Sequence, residues 1–201
     1  MPCRDDGAEL TISVGQLYPL PRLPMRNGRW TSRAGFVPLT VHAATRWTLT
    51  DAASRYLVDV RIVDPTWAGV RGAMERIFDE VGLPDAIRSY NGSPFGSTGA
   101  GGLSALSVWC LKLGIEPPYI PPWSPQDNGR HERMHRTLKA ETSKPAAATL
   151  AQQQRRFDRF RRHYNETRPH EALEQTPPAA HWRPPARALP ARLEDPWYEA
   201  S

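Results

Sequence analysis

Cysteine is nearly absent from this chain. Cys3 and Cys110 are the two in 201 residues, which excludes a disulfide-stapled secreted scaffold. Cys110 falls in an apolar segment and reads as a small reduced core residue, so a cytoplasmic setting is expected. No apolar run reaches the roughly 20 residues that a membrane span requires, and the first residues have no apolar centre of the signal-peptide kind. Neither a membrane partner nor a small-molecule substrate is expected. Acidic residues are scarce in one block. Between Gln126 and His170, eleven Lys and Arg stand against five Asp and Glu, while the rest of the chain is close to neutral. A basic block interleaved with aromatic residues points to a polyanion, nucleic acid above all, more than to a plain solvated helix face.

What the chain does have is enough length for one full hydrophobic core and an excess of proline, 21 residues, many of them after Glu174. Three parts are expected. Residues 1–44 show neither period 2 nor period 3.6 for long and read as irregular or eroded. Residues 45–173 form the core domain. Residues 174–201 form a Pro-rich tail laid extended over a surface, because proline cannot donate to a helix or sheet ladder.

Within the core domain the spacing predicts a definite order of elements. Trp47–Thr50 and Tyr56–Val63 are β-rich runs around the turn D-A-A-S-R, hence a hairpin. Asp64 caps a helix with Pro65 at its first position; Trp67, Val70, Met74, Ile77, Phe78 and Val81 recur at helical spacing, and Gly82 stops it. A short strand is expected at Ala86–Ser89, followed by the turn pair Asn91-Gly92. A second helix runs over 103–113 with Leu106, Trp109, Cys110 and Leu113 inward, then a proline-broken edge strand at 115–120. Ser124 and Asp127 open a third helix reaching about Thr142. A fourth, over 150–165, has Leu150, Phe157, Phe160 and Tyr164 on one face. Hairpin, helix, strand, helix, short strand and two helices make an α/β layer with a mixed sheet.

The string D-N-G-R-H-E-R-M-H-R-T-L-K-A-E (Asp127 to Glu141) carries the chemistry. Glu132 stands among Arg130, Arg133, Arg136 and Lys139, which suits a carboxylate holding a metal ion while its basic neighbours hold phosphate. His131, Glu132 and His135 also spell the H-E-x-x-H pattern of zinc proteases. That reading fares badly, because three arginines flank the would-be zinc and no third ligand follows at the extended spacing; chance coincidence is the better account. Arg155, Arg156, Arg159 and Arg162 extend the basic set off the apolar face of the last helix.

Several strings in order resemble the catalytic core of retroviral-type integrases and of insertion-sequence transposases with a D-D-E triad. They are L-T-D-A-A-S-R-Y (Leu49 to Tyr56), G-L-P-D-A-I-R-S-Y-N-G-S-P-F (Gly82 to Phe95), W-C-L-K-L-G-I (Trp109 to Ile115), the Pro125 to Glu141 stretch, and F-R-R-H-Y-N-E-T-R-P-H-E-A-L (Phe160 to Leu173). Together they cover about Arg46 to Pro185. The resemblance implies a ribonuclease-H-like fold: a mixed sheet flanked by helices. It implies a protein of DNA integration and recombination, DNA as partner, homo-oligomers, and two Mg2+ ions held by three carboxylates. The third acid maps onto Glu132, and Arg136 and Lys139, four and seven residues on, share its helix face and can grip phosphate.

The resemblance then breaks at the other two acids. Tyr90 stands where I-R-S-D-N-G would place the second aspartate, and a phenol with a pKa near 10 supplies no fixed negative charge. The first-strand string would be Trp30-Thr31-Ser32-Arg33, with arginine in the aspartate's place. Asp51 is a weak substitute that reads as a turn residue. The expectation is a degenerate site without catalysis, or, as the alternative, a DNA-binding remnant that interferes with active relatives.

Overall fold

A computed structural model describes residues 9–16, 45–64, 66–89, 104–116, 129–145 and 147–193. Their elements follow the expected order, with one addition at the front. Strand β1 is Glu9–Gln16, β2 is Thr45–Asp51, β3 is Leu57–Val63 and β4 is Ala86–Ser89. Helices α1 (Trp67–Val81), α2 (Ala105–Lys112), α3 (Gly129–Thr142) and α4 (Leu150–Glu166) complete the layers.

The four strands pair in the order β3-β2-β1-β4. β1 runs antiparallel to β2, from Leu10 opposite Asp51 to Gln16 opposite Thr45, and parallel to β4, from Glu9 beside Ala86 to Ile12 beside Ser89. β1 is therefore an interior strand drawn from the segment that sequence reasoning left irregular. Its signal was present but brief: Leu10, Ile12 and Val14 alternate with Thr11, Ser13 and Gly15. The reading of Trp30–Arg33 as the first strand is corrected by the same fact, because Glu9–Gln16 fills the slot between β2 and β4. Arg33 itself lies outside the described residues, as do the predicted Ser124 and Asp127 helix start and the strand beyond Glu116.

Alternation along the strands sorts side chains to two faces. On one face Trp47, Leu49, Leu10 and Ile87 pack against Val70, Met74 and Phe78 of α1 and Leu106, Trp109 and Cys110 of α2. On the other, Leu57 and Val60, brought to one face by an irregularity in the β2–β3 register that interrupts the alternation of β3, pack against Met134 and Leu138 of α3 and Phe157, Phe160 and Tyr164 of α4. Two helical layers thus enclose the sheet, as period 2 in the strands and period 3.6 in the helices require. Burial raises the Cys110 thiol to about 12, which makes it an inert core group.

Local chemistry sets the boundaries. The α1 cap is Thr66, whose Oγ1 accepts from Gly69 N at 3.2 Å, so the predicted cap at Asp64 is displaced by two residues. Ser104 and Thr149 cap α2 and α4 by the same bond. β3 is an outer strand of the four, and α4 lies along it. Asn165 accepts from Leu57 N at 2.8 Å and donates to Leu57 O at 3.0 Å. Gln154 bridges Ile62 N and Val60 O, and Arg161 donates to Val58 O at 2.7 Å. Side chains of a helix thereby satisfy the backbone of an otherwise open sheet edge.

Past α4 the chain returns over the α1/α2 side. Trp182 stacks on Tyr56 with ring centroids 4.9 Å apart. Arg187 O accepts from Leu83 N at 2.7 Å, while its guanidinium donates to Pro84 O at 2.6 Å and Leu113 O at 3.2 Å. Among the described residues no helix is long and apolar enough to cross a membrane.

Candidate functional site

Helix α3 carries the predicted acid, and its seating on the sheet defines the surroundings. Met134 and Leu138, four apart, are buried and anchor one face of the helix. Glu132, Arg133, Arg136 and Lys139 are exposed on the remainder. Glu132 lies in the first turn, where a carboxylate also complements the positive end of the helix dipole. Arg130 and His131 belong to the same turn, and their side chains are outside the described set.

His135, one turn beyond Glu132, joins α3 to β2. Arg46 and Thr48, two apart on the strand, project to the same side and reach both nitrogens of its ring. Arg46 Nη2 lies 2.6 Å from Nδ1, and Thr48 Oγ1 lies 3.0 Å from Nε2. Both partners are buried. With both nitrogens engaged, His135 has no lone pair to offer zinc, which removes the protease reading of H-E-x-x-H. Sequence reasoning gave Arg46 no role, because it stands just before the Trp47–Thr50 β-run and 89 residues from its partner.

The sheet face under α3 is cationic. On β2 and β4 it carries Arg46, Thr48, Thr50 and, next to the core residue Ile87, Arg88, with no carboxylate among the described side chains. β4 leaves the ladder at the Ile12–Ser89 pair, one position short of Ser13, and Ser13 is the partner of Thr48. β4 therefore ends level with Leu49, one rung before Thr48; Tyr90 is outside the described residues.

Asp51 sits on the opposite side of β2, alternating with Trp47 and Leu49. Its Oδ2 accepts from Ser54 N at 2.6 Å and Ser54 Oγ at 2.5 Å, which closes the hairpin turn. A second buried acid, Asp59, is held by Arg61 and approached by Arg161 at 4.0 Å; burial raises its pKa despite these partners. Among the described residues no group of three His, Cys, Asp or Glu could hold a metal ion.

The predicted phosphate-binding residues divide. Arg155, Arg159 and Arg162 are exposed on α4, on the same side of the sheet as α3. Arg156 is half-buried and donates to Pro145 O. Arg161, in the middle of the arginine run, is a structural residue of the β3 edge. His170 packs edge-on against Tyr164 at 4.7 Å. Burial, then Arg168 and Arg55, hold His170 below its ordinary value of 6.5. The unfolded chain thus takes up this proton before the folded one does, so the associated stability is present above about pH 6.5 and lost as pH falls below it. His170→Asn is expected to show a smaller drop in urea midpoint than wild type between about pH 7.5 and 5.5.

The fold defines the class: a ribonuclease-H-like α/β core. The architecture matches the catalytic core of bovine immunodeficiency virus integrase with a TM-score of 0.57 at 15% identity, over 86% of this chain and 91% of that one. It also matches the HTLV-2 integrase catalytic core solved with magnesium, with a TM-score of 0.57 at 12% identity, over 87% of this chain and 95% of that one. The family described as integrase core domain matches residues 113–178. An uncharacterized 39.2 kDa protein of insertion element IS476 from Xanthomonas euvesicatoria is 30% identical over 173 residues, 83% of this chain. The chain is thus similar to an insertion-element protein over most of its own length and, over residues 113–178, to the integrase core domain family. It spans about half, 47%, of the length of that insertion-element relative.

Proposed function

We propose that this chain is a DNA-binding integrase core that does not cut or join strands. The observation that carries the reading is the pairing of α3 with the sheet. Where strand and helix meet, one turn from Glu132, the sheet presents the fixed cation Arg46. Tyr90 replaces one acid of the family pattern, and β1 has no carboxylate after Glu9. A two-metal centre needs hard anionic oxygens to offset two dications, and this donor set does not fit one. Asp51 cannot complete the set, because it faces the other side of the sheet and serves the turn.

DNA affinity is supported by exposed Arg133, Arg136 and Lys139 on α3 and Arg155, Arg159 and Arg162 on α4, all on helices of one layer. The HTLV-2 core was solved in dimeric and trimeric forms, and we extend homo-oligomer formation to this chain as part of the proposal.

The test is a strand-transfer assay with Mg2+ or Mn2+, run beside a DNA-binding titration in salt. No product is expected from wild type or from Glu132→Gln. Binding should weaken steeply with salt, roughly as 0.9 powers per phosphate neutralised, and Arg136→Ala should lower that slope by about one unit. Metal-dependent product that disappears in Glu132→Gln would sink the non-catalytic reading; a flat salt response would sink the DNA-binding one.

A further inference from the structure

We propose that Arg46, His135 and Thr48 form a metal-independent latch that fixes α3, and Glu132 with it, on the sheet. The proposal rests on the reading that no metal ion organises this face, and it assigns a role to three residues that this reading leaves unexplained.

The geometry specifies the proton arrangement. A guanidinium only donates, so Nδ1 of His135, 2.6 Å from Arg46 Nη2, must accept. The ring is therefore neutral, with its hydrogen on Nε2, and that hydrogen points at Thr48 Oγ1, 3.0 Å away. Reversal of either role would set two donors against each other. The imidazole is thus read by an obligate donor on one side and a hydroxyl acceptor on the other, which permits one tautomer and one ring orientation.

Position makes the latch consequential. Its strand residues lie on β2, an interior strand paired on both sides, so they are set in a rigid frame. Its helix residue is three positions from Glu132 and adjacent to the buried Met134. Met134 and Leu138 give α3 an apolar seat, yet apolar contact alone tolerates sliding along the helix axis. Two directional bonds to one ring remove that freedom. In this chain a side-chain cation of the sheet supplies that restraint.

Three measurements test this. In wild type, long-range 15N–1H spectra should show His135 as the Nε2–H tautomer, its signals identified by their absence in His135→Gln. Addition of millimolar Mg2+ or Mn2+ should leave Tm unchanged. His135→Leu and Arg46→Met should each lower Tm by about 5 °C, and the double variant by clearly less than the sum, because removing both partners leaves neither one buried alone. An Nδ1–H tautomer, or strict additivity in the double variant, would overturn the latch while leaving the non-catalytic reading intact. A rise in Tm with Mg2+ would overturn the metal independence and reopen that reading. Should the single variants fail to fold, the tautomer and the metal response of wild type still decide.

Discussion

Asn165→Leu should lower the unfolding free energy by about 2–5 kcal/mol in urea denaturation, far more than the loss of an average hydrogen bond. Asn165 is 3% exposed, and its amide makes two bonds to one residue, accepting from Leu57 N and donating to Leu57 O. Leucine keeps the branched heavy-atom skeleton but is bulkier, so some overpacking adds to the loss. The main change is that a buried N–H and a buried C=O lose their partners together, at about 1–3 kcal/mol each. Water cannot substitute readily, because Leu57 is itself fully buried and is clustered with Phe160 and Tyr164. The comparison with Asn165→Asp isolates the donor. The introduced carboxylate still accepts from Leu57 N but opposes Leu57 O, so a large loss is expected at neutral pH. It should shrink near about pH 4, where a protonated carboxyl can donate. An Asn165→Leu loss below about 0.5 kcal/mol would show that β3 does not depend on α4 for its edge bonds.

The same region shows what a sequence can and cannot display. Helices α1 and α4 were legible because Val70, Met74, Ile77 and Phe78, or Phe157, Phe160 and Tyr164, repeat at a period that burial requires. The hairpin was legible from β-branched runs around a turn. β1 was not, because three alternating apolar residues between a polar start and a proline-rich continuation give little pattern. Its pairing with β2 and β4 is long-range and leaves no local trace. Glu132 announced itself by its charge surroundings within one helix. Arg46 and His135 are 89 residues apart, so neither predicts the other. Gln154, Arg161 and Asn165 were invisible for a further reason: a polar residue on a helix is read as solvent-facing unless the neighbouring strand edge is already known. Residues that act on their own element can be read locally, and residues that join elements cannot.

Gly82→Ala is expected to destabilise the chain by about 3 kcal/mol, through the backbone of a segment a hundred residues away. Gly82 ends α1 at φ 94° and ψ 170°, where its N–H bonds to Phe78 O, and this backbone region is essentially reserved for glycine, costing other residues about 1–3 kcal/mol. A Cβ there would stand 2.5 Å from Pro185 O and 2.9 Å from Arg187 O. Both are main-chain atoms of the returning segment, so no side-chain rotation relieves the contact. The segment must shift, weakening the Leu83 N to Arg187 O bond and the reach of the Arg187 guanidinium to Pro84 O and Leu113 O. Gly72 is the internal control. It lies inside the same helix with nothing within 4 Å of a built Cβ, so Gly72→Ala should stabilise by about 0.5–1 kcal/mol through helix propensity alone. The two alanine variants should therefore move Tm in opposite directions, with the fall at Gly82 about three times the rise at Gly72 or more. If both variants raised Tm, the close seating of residues 185–187 against the end of α1 would be wrong. If Gly82→Ala cost only the φ penalty, in a background where Arg187→Ala is already present, the surplus would be assigned to the docked segment, as the contact distances require.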